Sequence, residues 1–296
     1  MAIIKKNDAT PERPVVIVLY GTPGTGKTSV ATTAENPILI DTDRGFDRAV
    51  QRIDTLTATC WQDIATEMNA LKGYKTIIVD TAKAMLDDYL AAYAIQCDYK
   101  LQNNAQRRYG RMGEDFKLFV NTIRSYGADL IFICHDKEKD DGDKIKHSPD
   151  CTGQSKDLLI RIADQVGYVC KENGRRVIKF EPMDDFVGKN VARLETKPIP
   201  DFPSEEFETF MADIIKDVRK AIQSNSDAQK EANEMLRAMR EDLATALNPE
   251  DFDACLEART KLPQAFRNAY ALEVNRHAQA KGYTYDKTTN KYTKAA

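Results

Sequence analysis

"VVIVLYGTPGTGKTSVATTA", residues 15–34, decides the reading of the fold. An apolar, β-branched run (15–20) breaks into glycines, then a lysine and two hydroxyls, then an alanine- and threonine-rich helical pattern. Inside it, Gly21, Thr22, Pro23, Gly24, Thr25, Gly26, Lys27, Thr28 and Ser29 spell a complete phosphate loop of the form G-x-x-x-x-G-K-T. Glycines let the backbone wrap so that successive N–H groups point inward at phosphate oxygens. Lys27 supplies a point charge for the β- and γ-phosphates, and Thr28 supplies a hydroxyl ligand for Mg²⁺. The start of the following helix adds its positive end. A glycine turn that binds nothing would leave the Lys-Thr pair unexplained, so ATP and Mg²⁺ are the expected ligands.

Working outward, residues 37–42 (PILIDT), 75–81 (KTIIVDT) and 128–135 (ADLIFICH) are near-continuous β-branched runs, as strands covered on both faces require. Helical patterns at 61–73 and 113–127 alternate with them, which predicts an α/β fold with a mostly parallel, twisted sheet. After residue 160 a hairpin is expected, turning at Asn173-Gly174. Residues 204–222 read as a helix capped by Ser204, with an apolar face from Phe207 to Ile222.

A magnesium nucleotide site needs a carboxylate at the end of a neighbouring strand. Asp80, after four β-type residues, meets that need. The strand straight after the phosphate-loop helix ends in "ILIDTDRGFD", which offers Asp41 and Asp43 for handling the attacking water. "LIFICHDKEK" ends its strand with His135, placed to hydrogen-bond a terminal phosphate and relay its loss.

Two segments are candidates for contact with a polyanion. Residues 136–157 read as a long polar loop in which Lys144, Lys146 and His147, together with Lys156, are the phosphate contacts. Residues 136–150 carry 4 basic and 6 acidic side chains, so the loop is no plain basic clamp. Residues 99–117 group Arg107, Arg108 and Arg111 around Tyr109, a set suited to backbone contact and base stacking, and equally to an ordinary helix surface.

The division expected is a core over 1–222 and a helical appendage over 223–296, joined by "QSNSD" (223–227). Helices are expected around the stripe 228–243, from Pro249 and from Pro263, the last ended by Gly282. The appendage is polarised: 223–258 holds 3 basic and 9 acidic residues, 259–296 holds 8 basic and 2 acidic. Its tyrosine-bearing end suggests a small hairpin. It offers added DNA affinity, a partner surface or subunit contacts, or only padding.

The composition is that of a globular chain with a real core, 42% hydrophobic and 30% charged over 296 residues. A net charge of −3 excludes a generally basic nucleic-acid binder, so any such binding must be local. No run reaches the ~20 apolar residues that span a bilayer, and the polar start lacks the apolar segment of a secretion signal. A cytoplasmic protein is therefore expected. The six cysteines form no C-x-x-C pair and fit reduced, buried thiols. His147 and Cys151 have a ligand-like spacing but no second pair, which argues against zinc.

"GTPGTGKTS", "LIDTD", "IIVDT", "RRYGRMGEDF", "IFICH" and "ETKPIPDFPSEEF" together resemble the phage-encoded RecA-like ATPases of the Sak-four type, over roughly 12–222. Asp80 is followed by Thr81, not by the Glu of AAA+ and helicase-type sites. The resemblance implies a RecA-like P-loop core with Asp43 as the catalytic carboxylate, one methylene shorter than the usual Glu. Catalytic roles then fall on Lys27, Asp43 and His135, and metal binding on Thr28 and Asp80. It also implies single-stranded DNA as partner, action as an oligomer in a filament or ring, and a single-strand-binding protein and an exonuclease as associates in phage recombination. A basic residue reaching in from a neighbouring subunit is expected among Lys171, Arg175, Arg176 and Lys179. Two other readings stay open: an AAA+-type loader or remodeller of a replication protein, and a nucleotide-switched binding protein with little hydrolysis.

Overall fold

The computed structural model describes residues 13–141, 144–286 and 289–294. Strands β1 (Val16–Gly21), β2 (Pro37–Asp41), β3 (Asp54–Thr57), β4 (Thr76–Asp80), β5 (Asp129–Asp141), β6 (Lys144–Pro149), β7 (Gln165–Glu172), β8 (Arg175–Lys179), β9 (Lys189–Asn190) and β10 (Lys197–Pro198) share one sheet. Their order is β10-β8-β7-β1-β5-β4-β2-β3, with β6 added to β5 and β9 to β7. From β7 to β3 the neighbours are parallel; β6, β8, β9 and β10 are antiparallel additions. The α/β fold with a mostly parallel sheet is therefore as expected.

Alternation along the strands divides the core into two layers. Val16, Val18, Tyr20, Ile77, Val79, Leu130 and Phe132 face one way, against Phe116, Phe119 and Val120 of helix α4 (Ala105–Ser125). Ile17, Leu19, Ile78, Ile131 and Ile133 face the other, against Met211, Ile214, Ile215 and Val218. Burying both faces is what lets these strands be apolar at every position.

Several expectations are corrected. The helix α1 after the phosphate loop is short, Lys27–Ala31. The hydroxyls of Thr32 and Thr33 bond back to the carbonyls of Ser29 and Val30 at 2.8 and 2.7 Å, drawing the chain out of the helix. Residues 136–141 and 144–149 are not irregular but form an antiparallel arm, β5 running on past the sheet and pairing with β6 from Asp136↔Pro149 to Asp141↔Lys144. The helix expected at 113–127 starts eight residues earlier, capped by Asn104, whose side chain accepts the Arg107 N–H at 3.1 Å. Ser204 caps as expected, but the helix breaks at Thr209 into α6 (Glu205–Glu208) and α7 (Phe210–Thr245). Residues 223–227 lie inside α7, so they are not an irregular linker.

Chain contacts part between Ile222 and Gln223 into two compact units. The second holds α8 (Pro249–Ala258), α9 (Gln264–Ala280) and the hairpin β11 (Tyr283–Asp286) with β12 (Lys291–Lys294), around Leu236, Met239, Leu243, Phe252, Tyr270 and Val274. Its tail tyrosines pack inward: Tyr283 and Tyr292 each lie 5.8 Å from the Phe252 ring, and Tyr292 is buried. Both belong to the packing of this unit. No helix among the described residues is long and apolar enough to cross a membrane.

Candidate nucleotide site

The sheet register brings distant sequence positions to one edge. Gly21 pairs with His135, Asp41 with Asp80, and Asp80 with Ile133, so the carboxyl ends of β1, β2 and β4 finish level with Ile133–His135 of β5. In open α/β sheets that edge is where ligands bind. Here it opens a cleft of about 220 Å³ lined by Gly24, Gly26, Lys27, Thr28, Asp41, Asp43, Asp80 and His135, among others. That volume is below the ~300 Å³ at which sites for whole small ligands begin, so it suits the phosphate end of a nucleotide.

The loop's glycines are required by geometry at two points. Gly26 has φ 88°, and a Cβ there would sit 2.8 Å from Nη1 of Arg176. A Cβ on Gly21 would lie 2.2 Å from the Val169 carbonyl oxygen on β7. Lys27 is buried, and its ammonium donates to the carbonyls of Gly21 and Thr22, both at 2.9 Å. Burial holds its pKa below the ordinary lysine value, while Asp80 and, more weakly, Cys134 and Asp136 pull it back up. With α1 only five residues long, the cradle's positive character comes from local N–H groups and Lys27 rather than from a long helix dipole.

Thr28 Oγ1 donates to Asp80 Oδ2 at 2.6 Å. Asp80 is held above the usual carboxylate range by burial, against the Thr28 hydrogen bond and the Lys27 charge, which lower it. A hydroxyl and a desolvated carboxylate converging beside a phosphate cradle are the hard oxygen donors that Mg²⁺ takes. These two residues would hold it.

Asp41 and Asp43 divide into different jobs. Asp41 is 2% exposed, and its carboxylate accepts the N–H groups of Asp43, Gly45 and Phe46, each at 3.1 Å. It braces the loop that carries Asp43. The Asp43 side chain is half exposed and turned to the cleft, with Oδ2 at 3.8 Å from Nε2 of His135. The other ring nitrogen, Nδ1, is buried without a hydrogen-bond partner among the described residues.

The candidate polyanion contacts meet different fates. On α4, Arg107 is exposed; Arg108 bonds the carbonyls of Leu101 and Gln102 and lies over the Tyr109 ring at 5.9 Å. Arg111 pairs with Asp115 at 2.9 Å, and Tyr109 packs on the core. His147 is corrected as a free phosphate contact: its Nδ1 lies 2.6 Å from Asp136 Oδ2, and its ring stacks on Tyr168 at 5.0 Å. Lys146 is half-buried on the arm, while the Lys144 side chain lies outside the described residues. Of the four late basic residues, Arg176 reaches its own phosphate loop and Lys179 pairs with Glu172 at 2.9 Å. Lys171 and Arg175 are exposed.

The arm escaped sequence reasoning, and for Asp41 the sequence offered a supporting partner of Asp43 without the loop bonds that make it one. An alternating run on each side of Gly142-Asp143 was the available signal for the arm. A family model described as an AAA domain matches residues 13–192, more than half of the chain and inclusive of every cleft residue. No curated protein matches the chain.

Proposed function

This chain belongs to the AAA domain family of P-loop ATPases, and from that premise we propose that it hydrolyses ATP with Mg²⁺ in a cycle coupled to single-stranded DNA, as an oligomer in phage homologous recombination. Lys27 leaves the loop carbonyls for the β- and γ-phosphates, and Thr28 and Asp80 hold the metal. Asp43 orients and deprotonates the attacking water, and His135 bonds the terminal phosphate and passes its loss to β5 and the arm beyond. Annealing or strand exchange, beside a single-strand-binding protein and an exonuclease in the host cytoplasm, is the setting that fits the phage-type resemblance.

One observation carries this reading. The acid facing the cleft, Asp43, comes from the end of β2 and stands 3.8 Å from the residue at the end of the sheet run of β5, while Thr81 follows Asp80. That placement supports the RecA-like arrangement over one with a glutamate beside the magnesium aspartate. DNA contact is supported by the arm, where Lys139 stands directly opposite Lys146. Like charges facing across a ladder are unfavourable until a polyanion lies between them. Arg107 on α4 is a second exposed cation for the same partner.

A second reading is an AAA-type ATPase that loads or remodels a replication protein. The family match and the helical unit after residue 223 favour it. Turnover with and without single-stranded DNA, in wild type, Lys27→Ala and Asp43→Asn, separates the two. DNA stimulation that both variants abolish, with Asp43→Asn still binding ATP, is expected. Turnover indifferent to DNA removes the recombination reading, and normal turnover in Asp43→Asn removes Asp43 from its role.

A further inference from the structure

Where the arm leaves the sheet, it gathers three side chains that the nucleotide site does not use. Asp136 and Glu138 are two residues apart on β5 and so share a face. Glu138 is paired directly across the ladder with His147 on β6. One potential ligand atom from each of the three lies within 4.8 Å of the other two.

We propose that Asp136, Glu138 and His147 form a binding site for a divalent transition-metal cation of the zinc–manganese class, distinct from the magnesium position at Thr28 and Asp80. The first support is an unpaired oxygen. The Asp136 side chain is only 2% exposed, yet while Oδ2 meets His147, Oδ1 has no hydrogen-bond partner among the described residues. A desolvated carboxylate oxygen left unmatched is costly, and a cation is the ligand that satisfies it.

The second support is preorganisation. The His147 ring ends a stack that continues through Tyr168 to Phe186, the last two centroids 5.4 Å apart. Its backbone is pinned on both sides, its N–H donating to the Asp185 carbonyl at 2.8 Å and its carbonyl accepting the Val187 N–H at 3.0 Å. Rigid ligands held by their surroundings are what metal sites require. Glu138, by contrast, is exposed and free to swing inward from solvent. Closing on a zinc-sized ion brings ligand atoms to about 3.3 Å apart, a contraction that its side chain accommodates.

The donor set selects the ion. One imidazole and two carboxylates without thiolate suit Zn²⁺, Co²⁺ or Mn²⁺, whereas Mg²⁺ prefers oxygen ligands alone. Three protein ligands leave a position for water. The ion then ties β5 to β6 one residue beyond His135.

The test is Co²⁺ titration of tag-free, nucleotide-free full-length protein, followed by visible absorption, in wild type, Asp80→Asn, Glu138→Gln and His147→Gln. One equivalent is expected to bind wild type and Asp80→Asn alike, without a thiolate charge-transfer band. Affinity should fall by about tenfold or more in the other two variants. Zn²⁺ should displace the Co²⁺, and excess Mg²⁺ should not. Glu138 is exposed, so its variant reports on ligation rather than folding. Unchanged Co²⁺ affinity in Glu138→Gln, binding lost in Asp80→Asn, or displacement by Mg²⁺ as readily as by Zn²⁺ would each overturn the proposal. None of these outcomes depends on DNA or on turnover.

Discussion

Asp41→Asn separates the placement of the acid from the grip on the nucleotide. The Asp41 carboxylate takes three backbone N–H groups at 3.1 Å, two on Oδ1 and one on Oδ2. Asparagine keeps one acceptor oxygen and turns an NH₂ group toward the remaining donor. With its oxygen toward Asp43 and Gly45, the bond from Phe46 is lost and the other two no longer meet a charge. Hydrogen bonds to charged groups contribute about 1.5–3 kcal/mol each, and neutral ones about half that. Since part of the 43–47 loop reaches water and can rehydrate, the net loss is placed at about 2–3 kcal/mol.

For a unit of this size that corresponds to a fall in Tm of roughly 4–12 °C if the loop unfolds with the whole, and less if it frays alone. The kinetic effect is larger. A shift of about 1 Å in a catalytic group costs on the order of 100-fold in rate, so kcat should fall by about that factor. Lys27, Thr28 and Asp80 are untouched, and the Asp41 charge is one of the influences that raise the Asp80 pKa. Nucleotide affinity should therefore stay within about threefold of wild type, a change below 1 kcal/mol. Steady-state turnover, a fluorescent-nucleotide titration and a melting curve measure the three quantities. Wild-type kcat in the variant, or loss of affinity in step with kcat, would refute the assignment of Asp41 as a brace for Asp43.

Thr28→Val keeps the shape but removes the hydroxyl that meets Asp80; the Mg²⁺ concentration for half-maximal turnover should rise by about tenfold, read from a metal titration at fixed ATP. Gly26→Ala forces a side chain onto φ 88° and against Arg176, costing about 1–2 kcal/mol. Adding Arg176→Ala should relieve the contact but not the backbone strain, so thermal melting should recover only in part. In the second unit, Asp251 is held below its ordinary value of 3.8 by the N–H of Leu247 and then by those of Asn248. A depressed carboxyl stabilises the fold above its unfolded pKa, and that contribution disappears as pH falls through the folded value. The stability difference between wild type and Asp251→Asn should thus be present at neutral pH and vanish in strong acid, as followed by denaturant melts across pH.

The nucleotide cleft was legible because its parts are local. A phosphate loop is nine consecutive residues whose glycines, lysine and hydroxyl act through their own backbone and immediate reach, so Gly21 to Ser29 could be read without knowing the fold. Asp80 and His135 were legible because each ends an apolar run, and strand ends are where a parallel sheet exposes side chains. The antiparallel arm was not, since its alternation of Asp, Lys and Glu is equally the signature of a solvated loop. Only pairing with β6 distinguishes the two, and the energy of that pairing lies in another segment.

By itself the sequence determined a parallel α/β sheet with a triphosphate cradle, through β-branched runs and a glycine-lysine-threonine turn whose preferences are carried by single residues. The tertiary structure alone decided that Asp41 braces while Asp43 faces the cleft, that Arg176 lies on its own phosphate loop, and that His147 is stacked rather than free. The last two outcomes depend on which strands lie side by side and in what register, and the first on the turn of the loop after β2. A side chain acquires its role from the groups that surround it, and those are set either by a remote strand, as for Arg176 and the His147 ring, or by how the next few residues turn, as for Asp41.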